Sequence, residues 1–467
     1  FLDEANLETQ FAFAISQIPK VLRDKEECVQ SRNLFANQLN ALQTYNSLTS
    51  SIEVCSKIIG RHPFYLAYQT ENNRSLISQF GNICIQQAKV LQNNLTPQMA
   101  QKTLRGKIRI GIVSHYFNDH PVWHAITKGW ISQLNRDIFD VFLFNTSGNE
   151  DAETELAKSY ASNYLDCGVS IVEAGQTILN KSLDALLYPE VGMDMTTKGL
   201  ACLRLAPLQV ASWGHPETTG LSTIDIYLSA ELLEPKESNG YYSEKLIKLP
   251  NLGTFFEEPF IVTEDPDLIR LGIDPGAPIL LCPGSPAKYP PFYDNVLIEI
   301  AKRLGDCQFV FFNFDENLTE ILKNRLINEF KLAKIDSERF IKFIPFQQRS
   351  SFFGLMKQAT LYLDTIGFSG FNTAIQAIVC DLPVVTIQEK FMRGRLGSAL
   401  LSRLGISEFI CSNIQDYIAL TVNLIEQPLL RERYISSIRA NKGALFNDLA
   451  PIRTLEEVLI QYTRTAD

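Results

Sequence analysis

From Lys107 onward the chain alternates short apolar runs with stretches of helical character, and this alternation limits the folds open to it. The runs "IRIGIV" (108–113), "FDVFLFN" (139–145), "LDALLY" (183–188) and "LQVAS" (208–212) form a first set. A second set begins near Pro275, with "APILLC" (277–282), "CQFVFF" (307–312), "RFIKFI" (339–344), "TLYLD" (360–364) and "PVVTI" (383–387). Each is short, rich in β-branched and aromatic residues and largely apolar throughout, as strands covered on both faces are. Helix-like segments such as "HAITKGWISQLNR" lie between them, so the pattern predicts βαβ units and mainly parallel sheets. Two sets predict two doubly wound α/β domains, in keeping with a 467-residue chain that is too long for one domain. Ligands of such sheets bind beyond the carboxyl ends of the strands, and the cleft between two facing domains is the natural site.

The first hundred residues read differently. They are rich in Leu, Gln, Asn, Glu and Lys, and in "KEECVQSRNLFANQLNAL" Cys28, Leu34, Leu39 and Leu42 fall at roughly helical spacing. An all-helical packing segment is expected, with no clean repeat period and no cluster suggesting chemistry. The stretch "SEKLIKLPNLGTFFEEPFIVTEDPDLIRLGIDPG" is rich in Pro, Gly and acids and reads as a crossing between domains, with Asp265 and Asp267 in a turn. The expected domains are therefore helical over 1–104, Rossmann-like over 105–255, and Rossmann-like with C-terminal helices over 256–467.

Composition removes several function classes. A net charge of −9 argues against a nucleic-acid surface, which needs a basic field. No apolar run approaches the length of a membrane span, and the acidic start "FLDEANLETQ" does not read as a signal peptide. The nine cysteines are scattered without a CxxC pair, which suits buried thiols in a reducing cytosol, and a cytoplasmic location is expected.

Two loops carry most of the chemistry. "LYLDTIGFSGFNTAIQAIVCDLPVVTI" predicts a strand ending at Asp364, a loop with Gly367, Ser369 and Gly370, and a helix from Asn372–Thr373 to about Cys380. Glycines admit a ligand close to the backbone, and a helix start offers free N–H groups and a positive dipole end, so this is a place for a phosphate. It matches neither GxxxxGK[ST] nor GxGxxG. "LLCPGSPAKYPPFYD" also follows a strand and carries Lys288, a point charge that can reach a pyrophosphate. Lys390, Arg393 and Arg395 follow "PVVTI". Of five histidines, three lie in "HYFNDHPVWH" (115–124), and His215 lies in the similar phrase "SWGHPETTG". His120 and His124, four apart, suit one helix face, but Pro121 places His120 outside the helix and no third ligand follows, so no metal is expected.

These phrases, taken in order over roughly residues 60–460, resemble the catalytic half of the O-GlcNAc transferase family, glycosyltransferase family 41. That family also holds the SPINDLY-like plant proteins and the bacterial cytoplasmic N-glucosyltransferases. "IRIGIVSHYFNDHPVWH" looks like its strand followed by a His-Pro-x-x-His loop. "LRLAPLQVASWGHPETTGLSTIDIYLS", "GSPAKYPPFYD", "GFSGFNTAIQAI" and "FMRGRLGSALLSRLGISEFI" resemble its other signature stretches. The resemblance implies a GT-B fold, a UDP-sugar donor held by the C-terminal domain, a protein side chain as acceptor, and inverting transfer without a metal or other cofactor. It implies that Lys288 contacts the diphosphate and that Gly370, Asn372 and Thr373 receive it at the helix start. It puts Arg349 and Phe352 beside the base and Arg395 on the donor side. It makes His120 and His215 catalytic or positioning groups, with His124, Glu190 and Glu217 on the acceptor side. The candidates for the base are His120, His215, Asp119 and Glu190. Where the family usually has an acid for the ribose hydroxyls, this chain has Gln376, an amide that still hydrogen-bonds but without charge assistance. "LYPEVGM" and "WGHPETTG" lean towards the N-glucosyltransferases. O-GlcNAc-type transfer to Ser or Thr is the first expectation and Asn-directed glucosylation from UDP-glucose the second. A non-catalytic scaffold with a decayed donor site, motivated by Gln376, is the third.

Overall fold

The computed structural model describes residues 7–44, 51–96 and 106–464. The nine expected strands assemble into two sheets, with four others that the sequence reading does not single out. The first holds β1 (Ile108–Ser114), β2 (Phe139–Asn145), β3 (Asn163–Asp166), β4 (Ala185–Tyr188), β5 (Leu208–Ser212), β6 (Ile226–Ala230) and β7 (Lys245–Leu249), in the order β3-β2-β1-β4-β5-β6-β7. The second holds β8 (Ile279–Cys282), β9 (Gln308–Asn313), β10 (Ile341–Pro345), β11 (Leu361–Leu363), β12 (Val384–Ile387) and β13 (Ile410–Cys411), in the order β10-β9-β8-β11-β12-β13. All pairings within them are parallel. Strands β4, β5, β6, β8, β11 and β12 are buried along their whole length, which explains why they read as unbroken apolar runs.

Each chain segment starts mid-sheet, winds to one edge, then returns beside its first strand and winds to the other. The winding reverses between β1 and β4, and again between β8 and β11. Connections leave on opposite faces there and open a crevice at the carboxyl ends. One boundary shifts from the sequence reading: "KLIKL", placed in the crossing, forms the edge strand β7 beside β6. The crossing proper begins after Leu249.

The helical expectation for the first hundred residues holds for Leu7–Ser16, Lys25–Thr44, Ile52–Gly60 and Arg74–Gln92. Within Lys25–Thr44 the buried stripe is Cys28, Ser31, Phe35, Leu39 and Leu42, while Leu34 is exposed. Phe35, seven residues after Cys28 and seven before Leu42, holds the place given to Leu34 from sequence. These helices share one continuous hydrophobic core with both sheets. A Cβ on Gly81 would run into the carbonyl of Gly220, so the helix Arg74–Gln92 lies directly on the loop before β6. The last helix, Ala450–Arg464, crosses back onto the first sheet's side, where Glu456 accepts the Asn135 N–H (2.7 Å) and Arg453 donates to Gln133 O (2.7 Å). The sequence reading had grouped it with the second sheet, because a contact that distant along the chain leaves no local pattern.

Candidate functional site

A cavity of about 690 Å³ opens where the carboxyl ends of the two sheets meet. One wall is the loop and helix start after β1, with Asp119, His120, His124 and Lys128. The opposite wall combines Arg349, Ser350 and Phe353 from the helix Arg349–Gln358 with Asn372, Ile375 and Gln376 from the helix Asn372–Val379. The crossing segment from Phe255 to Val262 forms the rim. His120, His124, Arg349, Asn372 and Gln376, five of the residues singled out from sequence, thus line a single cleft.

On the first wall, the helix begins at Pro121 and its next turn is a π-type turn, Trp123–Thr127. His120 stacks on Tyr116 with ring centroids 3.7 Å apart and 13° between planes. Its Nδ1 accepts the N–H of Val122 at 3.2 Å. Burial, with His115 and His124 nearby, pulls its pKa down to about 4 against the opposing charge of Asp119. The ring is therefore neutral near pH 7, with its proton on Nε2, and presents an N–H donor. His124 Nε2 lies 2.6 Å from Asp119 Oδ1, and Arg349 Nη1 reaches the same oxygen at 3.6 Å, so Asp119 joins the two walls. The Asp119 N–H donates to Asp151 (2.7 Å), which also caps the helix Ala152–Tyr160.

On the second wall, Asp364 organises the turn that precedes the helix start. It accepts the Gly370 N–H (2.8 Å), the Ser369 hydroxyl (2.5 Å) and the Thr386 hydroxyl (2.8 Å). A Cβ on Gly370 would sit 2.6 Å from the hydroxyls of Thr373 and Tyr362, so only glycine allows this turn. No side chain caps the first turn of Asn372–Val379, which leaves its N–H groups to a ligand. Thr373 Oγ1 is engaged with Tyr362 OH at 2.8 Å.

Other expected site residues lie elsewhere. His215 is 3% exposed, stacked on Phe64 (4.9 Å) and edge-on to His62 (5.1 Å), and burial together with Arg393 pulls its pKa down to about 3. It is covered by the N-terminal helical segment and does not reach the cleft with His120. Glu217 is buried in an ion pair with Arg393, whose guanidinium also donates to Gln69 O (2.9 Å) and Glu71 O (2.6 Å). That pair clamps three parts of the chain together rather than facing an acceptor. Glu190 is fully buried, where it accepts the Ser114 hydroxyl (2.7 Å) and the His115 N–H (2.9 Å). Burial and Asp194 push its pKa well above the usual carboxylate value, and its two hydrogen bonds lock the loop after β1.

Lys288 sits behind the glycine turn, not in the cleft. Its Nζ donates to Ser369 O at 3.4 Å and lies 4.7 Å from the Phe368 ring centre, beside a pocket of about 40 Å³ shared with Asp364 and Tyr289. Burial lowers its pKa to about 8, against the pull of Asp364. Phe352 packs edge-on against Phe312 (5.3 Å), and Arg395 donates to Glu389 O (2.8 Å).

Sequence reasoning missed Lys128, which bridges Glu153 (3.2 Å) and Glu257 (2.9 Å) inside the cleft. Its spacing four residues after His124 was the available signal. Among the described residues, no three His, Cys, Asp or Glu side chains group as metal ligands, and no helix is long and apolar enough to cross a membrane.

Comparison with known proteins agrees with this architecture. The family model described as Glycosyl transferase family 41 matches residues 57–259. A probable UDP-N-acetylglucosamine–peptide N-acetylglucosaminyltransferase SEC of Arabidopsis thaliana is 24% identical over 367 residues, 75% of this chain and 36% of that protein. A UDP-glucose:protein N-beta-glucosyltransferase of Actinobacillus pleuropneumoniae is 21% identical over 422 residues, 86% of this chain and 64% of that protein. The chain thus spans between about a third and two thirds of these relatives' lengths. Among solved structures, a mutant O-GlcNAc transferase of Thermobaculum terrenum superposes with a TM-score of 0.70 at 17% identity, over 98% of this chain and 90% of that one. The fold is of the GT-B type, two facing Rossmann-like domains behind a helical segment.

Proposed function

We propose that this chain, which belongs to glycosyltransferase family 41, moves a sugar from a UDP-sugar to a protein side chain, with inversion and without a metal. The first choice of acceptor is Ser or Thr and of donor sugar GlcNAc. The observation that carries this reading is one cleft in which an uncapped helix start with Asn372 and Gln376 stands opposite the neutral, N–H-donating ring of His120.

Such transfer needs negative charge stabilised on the departing diphosphate and an acceptor held on the other face of the sugar. The free N–H groups and dipole at Asn372 serve the first need, with Arg349 as a cation on the same wall. Lys288 adds positive charge behind the same glycine turn, and would meet a phosphate only by leaving Ser369 O and Phe368. His120, with its proton on Nε2, is suited to hydrogen-bond an anionic or sugar oxygen and is not a base through that nitrogen. Asp119, more than half exposed and held by His124 and Arg349, is the acceptor-side carboxylate best placed to take a proton. Gln376 takes the ribose hydroxyls by neutral hydrogen bonds.

A second reading, transfer of glucose to Asn, draws on the bacterial N-glucosyltransferase, which aligns over a larger share of this chain than the plant relative does. Donor screening by UDP release with a peptide library tests both. One HexNAc on Ser or Thr in the intact mass supports the first reading, and one hexose on Asn supports the second. No UDP binding at millimolar nucleotide overturns both and leaves a scaffold.

A further inference from the structure

Between Phe256 and Glu264 the crossing from the first sheet to the second runs along the mouth of the cleft. Its ends are fixed: the Asn447 N–H donates to Phe256 O (2.9 Å) and the Glu264 N–H to Ser350 O (3.2 Å). Among the described residues, the backbone of 257–263 makes no hydrogen bond to other backbone and belongs to no strand. Exposure nevertheless alternates with a period of two. Glu258, Phe260, Val262 and Glu264 are exposed, while Glu257, Pro259, Ile261 and Thr263 are half-buried. This is the side-chain pattern of a strand that lacks a partner. The inward residues hold it in place: Glu257 pairs with Lys128 at 2.9 Å, and Ile261 packs on the core.

The outward face is unusual in two ways. Phe260 is 88% exposed and Val262 is 57% exposed, yet both line the same cavity as His120 and Asn372. The charges beside them have one sign, because Glu258, Glu264, Asp265 and Asp267 are exposed and no Lys or Arg occurs between Lys248 and Arg270. Unpaired backbone, alternating side chains and an apolar pair between acids are the features by which one extended segment receives another.

We propose that 257–263 is a docking edge for an extended peptide segment bearing Lys or Arg. The peptide would pair its backbone with this segment, set apolar side chains on Phe260 and Val262, and meet Glu258 and Glu264 with its cations. Its adjoining residues would then enter the cleft. A second copy of this chain is the poorer occupant, since its own edge would bring the same acids against these. The inference rests on the glycosyl-transfer reading only in calling the peptide an acceptor.

The test uses the whole chain and two short fluorescein-labelled peptides. One carries Lys, Val, Val and Lys at every second position with Ser between them, so that all four fall on one face of the extended chain, and the other has Glu for Lys. Anisotropy should show the basic peptide binding about tenfold more tightly, as two exposed ion pairs of ordinary strength would give. The double variant Glu258→Lys/Glu264→Lys should reverse that preference, a gain that misfolding cannot imitate. Val262→Pro, which removes one main-chain donor, should weaken both peptides. Equal affinities in the unaltered chain, or an unreversed preference in the double variant, overturn the proposal. So does sedimentation showing a dimer that the double variant dissociates, which would give the edge to a second copy. A parallel UDP titration separates the two readings. Peptide binding without UDP binding keeps the docking edge and removes the transfer function, and the converse does the opposite.

Discussion

The loops after β1 and after β5 carry similar phrases, "DHPVW" and "GHPET", and lie in the same sheet. The first faces the cleft. His120 there keeps a hydrogen bond on one nitrogen and offers the other to a ligand. The second is roofed by Phe64 and His62 of the helical segment, and the His215 Nε2 is buried without a partner. A His-Pro pair at the end of a strand therefore does not identify a site. What covers it decides, and the cover comes from residues more than a hundred positions away. If this contrast is sound, altering the covered loop should cost stability, and altering the open loop should cost turnover.

The largest expected effect tests the cover itself. Arg393→Ala leaves Glu217 buried without its partner and removes the donors to Gln69 O and Glu71 O, so a loss of about 3–5 kcal/mol in unfolding free energy is expected. Urea unfolding measures it. A loss within the range of a surface substitution would mean that the helical segment is not clamped over His215. The mirror test is His120→Ala, which should lower kcat for sugar transfer by about 10²–10³-fold while UDP affinity in calorimetry and the unfolding midpoint stay near those of the unaltered chain. Unchanged turnover would remove His120 from the chemistry and leave the two histidines alike. A smaller effect is expected from His215→Phe. An aromatic ring is kept, somewhat larger, and an unpartnered buried nitrogen is removed, so stability should stay within about 1 kcal/mol of the unaltered chain, with transfer intact. A large fall in kcat there would restore His215 to the site.

Legibility from sequence divides along the same line. Strands β1, β2, β4, β5 and β8 to β12, the glycine turn and the helix Asn372–Val379 were readable because each rests on a local pattern: an apolar run, a Gly-rich loop, a helix start after it. Likewise His120, Asn372 and Gln376 follow strands whose carboxyl ends the topology brings together. The burial of His215, Glu190 and Glu217 was not readable. Glu190 belongs to the core, and the Ser114 hydroxyl and His115 N–H that it accepts come from some 75 residues earlier. Lys288 shows an intermediate case. Its loop was placed at the correct strand end, but whether Nζ enters the cleft or lies on Phe368 depends on packing that no spacing encodes. The crossing segment reads as a linker because what sets it apart is which backbone groups stay unpaired, and no residue pattern encodes that.

The finest test of the comparison is protonation. In the unfolded chain a histidine titrates near pH 6.5, whereas burial and Arg393 hold folded His215 to about 3. Between those values the unfolded state binds the additional proton, so stability due to this group is present above pH 6.5 and is lost as pH falls towards 3. From pH 7 to pH 5 that loss amounts to about 2 kcal/mol for one such histidine. Buried carboxyls such as Glu190 act in the opposite direction, so the clean quantity is a difference of differences. His215→Phe should lose about 2 kcal/mol less than the unaltered chain between pH 7 and pH 5, because every other group is common to both. Equal losses would mean that His215 titrates in the fold as it does in water, which its enclosure by Phe64 and His62 does not allow. For the open loop the readout is catalytic. With His120 at about 4, its protonation should lower kcat/KM only as pH approaches 4, whereas a solvent-exposed histidine acting as general base would bring the fall near pH 6.5.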